Sequence, residues 1–415
     1  MPRSSTWISQ LSARVIPADP VHRIMSTSTF VNTFGNGLFA TVEVIYFTII
    51  VGLSPAKVAL ALSIAGGISL LVSIPAGQLS DRVGPRNIAV AAMAIEGVVM
   101  AQLIFVQSYL PFLLINIVLG ILNNISQTMR MATIASMGQG ESRVTIRAYQ
   151  RAITNFGISL GTVFAGIGLA INTPTAYKVL LVGDACTFLL AAYVFHRLPF
   201  VVPTVERGEP ITFQALKDRR FVAATASNAI NSLHFVLQSV AIPLWVVRET
   251  NAPRWWVSVI MITNTIGVTL FQVTASKGTG HIFGGAKRYR EASLAIAIAC
   301  AFYAASHGVS AYIACALLVI AMAIHTFGEL VGSAGSWSIG FGLADERHQG
   351  QYQGVWSLSW GLGGAVGPAF VTAMAITLGQ KGWAIMAAIF LANGILMHAL
   401  VTKKWIKTPE YVDIK

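Results

Sequence analysis

Twelve apolar stretches follow one another along the chain, and charged residues or Gly- and Pro-rich breaks separate them. A helix of about 20 apolar residues spans the ~30 Å hydrocarbon core of a bilayer, and each stretch is long enough to supply one. The stretches are centred near Leu38, Leu70, Met100, Leu119, Val163, Thr187, Leu237, Ile266, Ala299, Ala323, Val366 and Leu391. This pattern predicts an all-α membrane protein with twelve transmembrane helices.

Polar residues recur every three or four positions in the first, fourth, seventh and tenth of these helices, which places them on one helix face. The polar stripes consist of Asn32, Asn36, Phe39 and Glu43; Asn116, Gly120, Asn123, Gln127 and Arg130; Ser227, Asn231, His234 and Gln238; and His325, Glu329, Gly332 and Ser336. Unpaired polar groups are costly in hydrocarbon, so the stripes are expected to face protein or water.

The stripes together predict a central cavity between the helices. Hydrogen bonding between helices, without any transport, is the alternative interpretation. The residues expected to contact a substrate in the cavity are Asn32, Asn36, Phe39, Asn123, Gln127, Asn231, His234 and Gln238.

Four carboxyl groups fall inside predicted spans, at Glu43, Glu96, Asp184 and Glu329. Burial in a membrane disfavours the ionised form of a carboxyl, so each is a candidate for proton coupling. Glu329 is the first candidate because it follows His325 by one helical turn, and such a pair can titrate as a unit. Glu43 is the second candidate. A structural salt bridge within the tenth helix is the alternative for Glu329.

Composition excludes a soluble globular protein, because 55% of the 415 residues are hydrophobic and only 11% are charged. Ordinary soluble domains have about 25% charged residues. The formal charge of +12 is spread along the chain and does not form one basic domain, which argues against a nucleic-acid partner. All three cysteines lie in apolar runs, so neither a disulfide framework nor a thiolate metal site is indicated.

Basic residues predict the orientation in the membrane. With twelve spans and a cytoplasmic N-terminus, 23 of the 28 Lys and Arg residues fall in cytoplasmic segments. Short loops rich in Lys and Arg stay on the cytoplasmic side. Both termini are therefore expected in the cytoplasm of a multi-pass protein of the cell membrane.

Matched residues 203 positions apart suggest two duplicated halves, with Tyr149 matching Tyr352 and Gly77 matching Gly280. The predicted organisation is two six-helix pseudo-repeats around the central cavity. Its segments are a cytoplasmic N-terminal segment (1–23), an N-terminal half (24–197), a cytoplasmic linker (198–220), a C-terminal half (221–402) and a cytoplasmic tail (403–415).

The loop after the second helix, residues 77–86 with the sequence GQLSDRVGPR, resembles the loop signature of the major facilitator superfamily. The fifth helix, with Gly157, Gly161 and Gly166, is similar to the glycine-rich motif of the drug:proton antiporter branch. Thr162 departs from that motif, which would have a proline there, and Asn116 replaces an arginine found in many members.

The resemblance implies a gating loop that contacts residues 351–354 at the start of the eleventh helix when the cytoplasmic side is closed. The residues assigned to this gate are Gly77, Asp81, Arg82, Gly84, Arg86 and Arg130. A pair between Asp81 and Arg130 is expected to depend on conformation. The third and sixth helices are peripheral in the superfamily, which implies structural roles for Glu96 and Asp184.

The sequence has no phosphate-binding loop for a nucleotide pump and no paired metal-ligand motif, so no cofactor, metal or enzyme activity is expected. The hypothesis is a monomeric secondary transporter whose partners are a small-molecule substrate, protons and the lipid bilayer. Proton-coupled efflux of amphiphilic compounds or drugs is the preferred function, and the carboxyls at Glu43 and Glu329 favour cationic or zwitterionic ones. Uptake of a polar metabolite and a non-transporting receptor are the alternatives.

Overall fold

A computed structural model describes residues 19–137, 140–206, 209–210 and 212–402. The predicted tail 403–415 and most of the predicted N-terminal segment 1–23 lie outside these residues. All regular secondary structure in the described residues is helical, and they contain no β-strand.

Twelve long helices occupy the described residues, and each predicted centre falls inside one of them. Their bounds are α1 Pro20–Ile50, α2 Pro55–Val83, α3 Pro85–Phe105, α4 Tyr109–Met137, α5 Glu141–Ile171, α6 Pro174–His196, α7 Arg219–Glu249, α8 Trp256–Ala275, α9 Ile282–Ala305, α10 Ala311–Gly342, α11 Glu346–Thr377 and α12 Gln380–Thr402. One further single-turn helix, Gln214–Lys217, precedes α7.

Among the described helices, the eleven other than α9 are long and apolar enough to cross a membrane. In α9, Lys287, Arg288, Arg290 and Glu291 occupy the first half and leave a shorter apolar segment after them. The prediction of twelve spans therefore depends on α9, whose apolar part is the region predicted around Ala299.

Local sequence explains where several helices begin. Four of them start with proline, at Pro20, Pro55, Pro85 and Pro174, where the missing N–H has no helical partner to lose. The side chain of Asp218 accepts a hydrogen bond of 3.0 Å from Phe221 N and caps α7.

The helices divide into two compact units. The first contains residues up to 72, 83–133 and 149–203, and the second contains residues 73–82, 134–148 and 204 onward. In the first unit α6 packs against α1 and α3. In the second, α9 packs against α10 and α12, and α7 packs against α11.

Each unit has its own aromatic core. In the first unit the rings of Phe47 and Phe112 lie 4.4 Å apart. In the second, Trp245 is fully buried, and its Nε1 donates to the carbonyl of Tyr303 at 2.8 Å. Large apolar side chains also remain on the outside, and Leu71 is 76% exposed. Such exposure in long apolar helices fits contact with lipid.

Candidate functional site

Glu329 is buried in α10, with 2% of its surface exposed. Its Oε2 accepts a hydrogen bond of 2.7 Å from Nδ2 of Asn264 on α8. Asn264 also donates to the hydroxyl of Thr326 at 3.1 Å. The carboxyl is therefore held by a neutral amide inside the second unit. An ionisable group in such a position is expensive to bury and is a functional candidate.

His325 lies one turn before Glu329 and is also buried, with 1% of its surface exposed. Its ring centroid lies 5.5 Å from that of His234 on α7, and its side chain hydrogen-bonds the backbone of His234. The Nε2 atom of His325 has no hydrogen-bond partner among the described residues. The two groups predicted to couple thus belong to one buried cluster, in which His325 contacts α7 and Glu329 contacts α8.

The rest of the α7 stripe consists of Asn231, which is buried, and Gln238, which is partly buried. Gln238 lies in a π-helical turn, Leu237–Ala241. Such turns occur frequently at functional sites because they change the direction of the side chains that follow.

Some polar residues of the stripes join helices to one another. Ser227 donates to Oδ1 of Asn393 on α12 at 2.8 Å. Ser336 donates at 2.7 Å to Asn228, which donates in turn to Ser359 on α11 at 2.7 Å. Interhelical hydrogen bonding therefore accounts for these positions, as the alternative interpretation of the stripes allowed.

The stripes of α1 and α4 meet in the first unit around Arg130. Its guanidinium donates to Oδ1 of Asn32 at 3.0 Å, to the hydroxyl of Thr29 at 3.4 Å and to Sδ of Met93 at 3.2 Å. Thr29 donates in turn to Oε1 of Gln150 on α5. Within the first unit, Arg130 therefore contacts α1 and α3.

Glu96 of α3 lies in the same region and is 2% exposed. Its Oε1 accepts a hydrogen bond of 3.2 Å from Asn123, and its Oε2 accepts one of 3.4 Å from Ser126. Asn123, predicted to contact substrate, is thus paired with a carboxyl on a helix expected to be peripheral. Gln127, one turn further along α4, is exposed.

Glu43 lies towards the end of α1 with 9% of its surface exposed, and its Oε1 has no hydrogen-bond partner among the described residues. The other two stripe residues of α1, Asn36 and Phe39, are partly buried. Asp184 of α6 packs against α1, since a Cβ at Gly35 would lie 2.2 Å from its Oδ1.

The loop between α2 and α3 contacts the start of α11 within the second unit. The carboxylate of Asp81 accepts hydrogen bonds from the backbone N–H groups of Gly350 at 2.6 Å and Gln351 at 3.0 Å. These N–H groups belong to the first turn of the α-helical part of α11, Gln349–Thr372, where intrahelical partners are lacking and a negative charge is favoured. The contact that the resemblance implies with Gln351 is therefore present.

Two positions in this loop require glycine, each for a different reason. A Cβ at Gly77 would lie 2.2 Å from the carbonyl oxygen of Gly350, which only glycine avoids. Gly84 has a φ of +90° and immediately precedes Pro85 of α3. Its conformation is one that residues with a side chain rarely adopt.

The remaining loop residues bind neighbouring backbone. Arg82 donates to the carbonyl of Pro210 at 3.0 Å, and Arg86 donates to the carbonyl of His196. The backbone oxygen of Asp81 accepts bonds from Thr204 N at 2.9 Å and Val205 N at 3.1 Å. The predicted linker is thus bound to the gating loop.

Asn264 and Gln150 are among the cluster residues that were absent from the predicted site, and Glu96 was expected to have a structural role. Asn264 and Glu96 are polar residues inside apolar spans, and that signal was available in the sequence. It did not identify their partners, which lie on other helices. Gln150 belongs to the Tyr-Gln pair that repeats at Tyr352, so its position carried a signal of a different kind.

A family model described as Major Facilitator Superfamily matches residues 25–368 of the chain. The chain belongs to this superfamily. It is therefore a transporter and a multi-pass integral membrane protein, and not an enzyme. No curated protein matches its sequence.

Solved structures share the fold at low sequence identity. The human organic anion transporter MFSD10 is 14% identical with a TM-score of 0.69, over 91% of this chain and 98% of that chain. A bacterial homologue of the iron transporter ferroportin is 13% identical with a TM-score of 0.71, over 92% and 98%. The E. coli fucose:proton symporter FucP is 13% identical with a TM-score of 0.69, over 92% and 98%. At this identity the likeness shows the fold alone.

Proposed function

We propose that this superfamily member is a proton-coupled secondary transporter that exports small amphiphilic compounds by alternating access. The observation that carries the proposal is Glu329, a carboxyl buried in α10 and bonded at 2.7 Å to the amide of Asn264. A carboxyl can take up a proton in one state and release it in another only if its surroundings change. The rings of His325 and His234 lie in the same cluster, 5.5 Å apart.

In the proposed cycle, protonation of Glu329 from outside accompanies release of substrate, and deprotonation towards the cytoplasm accompanies its binding. The proposed substrate contacts are polar residues of α1 and α4 in the first unit and of α7 and α10 in the second, with Glu43 as a second proton-accepting group. Coupling requires that the proton and the substrate favour different states, because a ligand with equal affinity for both states shifts no equilibrium.

The proposed architecture has twelve spans, both termini in the cytoplasm, and two six-helix repeats, at 24–197 and 221–402, joined by the linker 198–220. A second loop contact supports the repeats. Gly280 is the position that matches Gly77, and the backbone N–H of its neighbour Gly278 bonds to Oε1 of Glu141, at the start of α5, at 2.9 Å. The loop between α8 and α9 thus contacts α5 much as the loop between α2 and α3 contacts α11.

The function is tested with inside-out vesicles whose membrane contains the overexpressed protein. A panel of amphiphilic dyes is added outside the vesicles. With an acidic interior, an exporter accumulates dye inside the vesicle, and a protonophore stops the accumulation. Net transport of the dye in the opposite direction would indicate uptake, and binding of the dye without flux would indicate a receptor. Either result would reject export.

A further inference from the structure

Arg130 is a partly buried cation that forms no hydrogen bond to a carboxylate among the described residues. Within the part of the chain that the structure describes, it forms no ion pair with a carboxylate, and its three side-chain contacts go to a neutral amide, a hydroxyl and a thioether. Its Nε has no hydrogen-bond partner within the described part of the chain. A charge inside a membrane bundle normally pairs with an opposite charge, since desolvation without pairing is costly.

A second N–H donor that is free to bind a ligand lies beside Arg130. Asn32 is 6% exposed, and among the residues that the structure describes its Nδ2 also has no hydrogen-bond partner. Because Oδ1 of Asn32 accepts a bond of 3.0 Å from Arg130, the two side chains are held together. The pair therefore offers two unused N–H donors and one positive charge, which match the acceptor oxygens of an oxyanion.

Glu96 is the candidate for a purely structural partner of Arg130, because it lies in the same region of the first unit. However, the hydrogen bonds of Glu96 go to Asn123 and Ser126, and not to the guanidinium. Glu96 therefore does not fill the donors of Arg130. Gln127, on the turn before Arg130, is exposed, so a ligand has a polar approach along α4.

We infer that Arg130 and Asn32 form an anion subsite that binds the carboxylate or an equivalent oxyanion of the transported compound. This inference rests on the proposed function for its role in transport, but the binding itself needs no gradient. The transported compound would then carry an anionic group as well as the cationic group that the carboxyls at Glu43 and Glu329 favour.

The test measures binding to the purified full-length protein in detergent by its shift in melting temperature. The probes are 4-phenylbutyrate, its uncharged amide 4-phenylbutanamide, hexanesulfonate and phenyl phosphate. The wild type should be stabilised in a saturable way by at least one anion and not by the amide. No saturable shift with any of the three anions overturns the proposal.

Substitutions at Arg130 and at Glu96 should change the Kd for the anion in opposite directions. A purely structural role would not produce this result. Arg130→Gln should raise the Kd for the anion at least about tenfold, and Arg130→Lys should raise it less because it keeps the charge but not the planar group. Glu96→Gln should lower the Kd, because it removes a competing negative charge. Should Arg130→Gln fail to fold, Arg130→Lys and Glu96→Gln still decide.

Arg197→Gln is the matched control, since it removes the same charge from the same unit at an exposed position beside Tyr193. It should leave the Kd unchanged. An unchanged Kd in both Arg130→Lys and Glu96→Gln overturns the subsite. Anion binding that follows these expectations, in a protein that fails the vesicle assay, would reject proton-coupled export and leave the subsite standing.

Discussion

Asp81 and Gln351 lie 270 residues apart in the chain, yet the carboxylate of Asp81 accepts a hydrogen bond of 3.0 Å from the backbone N–H of Gln351. With the bond of 2.6 Å from Gly350 N, both carboxylate oxygens are used. A charged acceptor from a distant loop therefore caps the α-helical part of α11, Gln349–Thr372, whose own N-cap residue His348 supplies no side-chain cap. Such a cap serves transport only if one state has it and another does not.

Asp81→Asn should weaken this cap, because asparagine has one acceptor oxygen and no charge. Charge-assisted hydrogen bonds contribute about 1.5–3 kcal/mol, so the uncapped state should gain about tenfold or more in population. The measurement is the labelling rate of a cysteine at Gln353, which is 2% exposed, after replacement of Cys186, Cys300 and Cys315. The rate should rise about tenfold, and turnover should fall.

The control for Asp81→Asn is Asp19→Asn, which alters an exposed cap at the start of α1 and should not change the labelling rate. Normal protein levels together with unchanged labelling in Asp81→Asn would contradict a gating role. Low protein levels would instead indicate that the loop is needed for insertion into the membrane.

Glu329→Gln should abolish transport driven by a proton gradient and preserve exchange of substrate across the membrane. Glutamine has nearly the same shape as the protonated carboxyl, and its oxygen can still accept the bond from Asn264, but it cannot release a proton. Uphill transport and counterflow in proteoliposomes separate the two activities. The control is Glu249→Gln, a carboxyl next to His307, which should pump normally. Uphill pumping by Glu329→Gln would transfer the role to Glu43.

Asn264→Leu should change the pH dependence of transport and lower stability by about 1–3 kcal/mol, because Glu329 loses its donor. The pH profile of counterflow and thermal unfolding in detergent measure these effects. In the Glu329→Gln background the effect on the pH profile should disappear. A profile that shifts equally in both backgrounds would show that Asn264 acts through another group.

The glycines of α5 should differ sharply when replaced by alanine. A Cβ at Gly161 would lie 2.0 Å from the carbonyl oxygen of Phe34, whereas nothing lies within 4 Å of a Cβ at Gly166. Gly161→Ala should therefore destabilise the protein by about 1–3 kcal/mol through forced separation of α1 and α5. Gly166→Ala should be neutral or stabilising by up to about 1 kcal/mol, because alanine favours helix. Equal melting temperatures in the two variants would contradict close packing at Gly161.

The sequence alone identified every long helix and the loop around Asp81. Hydropathy locates these helices because the hydrocarbon core of the bilayer is apolar throughout. Each spanning segment must therefore be mostly apolar along its length, whichever helices lie next to it. The same reasoning is weakest at α9, where Lys287, Arg288, Arg290 and Glu291 interrupt the apolar run. The approximate centres of the long helices were therefore predictable from the sequence.

The residues that share a stripe were also predictable, since helical spacing fixes which side chains lie on one face. The partners on other helices were not. Only the tertiary structure decided that Glu329 bonds to Asn264 of α8 and that Arg130 bonds to Asn32 of α1. Periodicity determines the direction of a side chain from its own helix axis but carries no information on which helix lies opposite. That choice depends on packing contacts spread over the whole bundle.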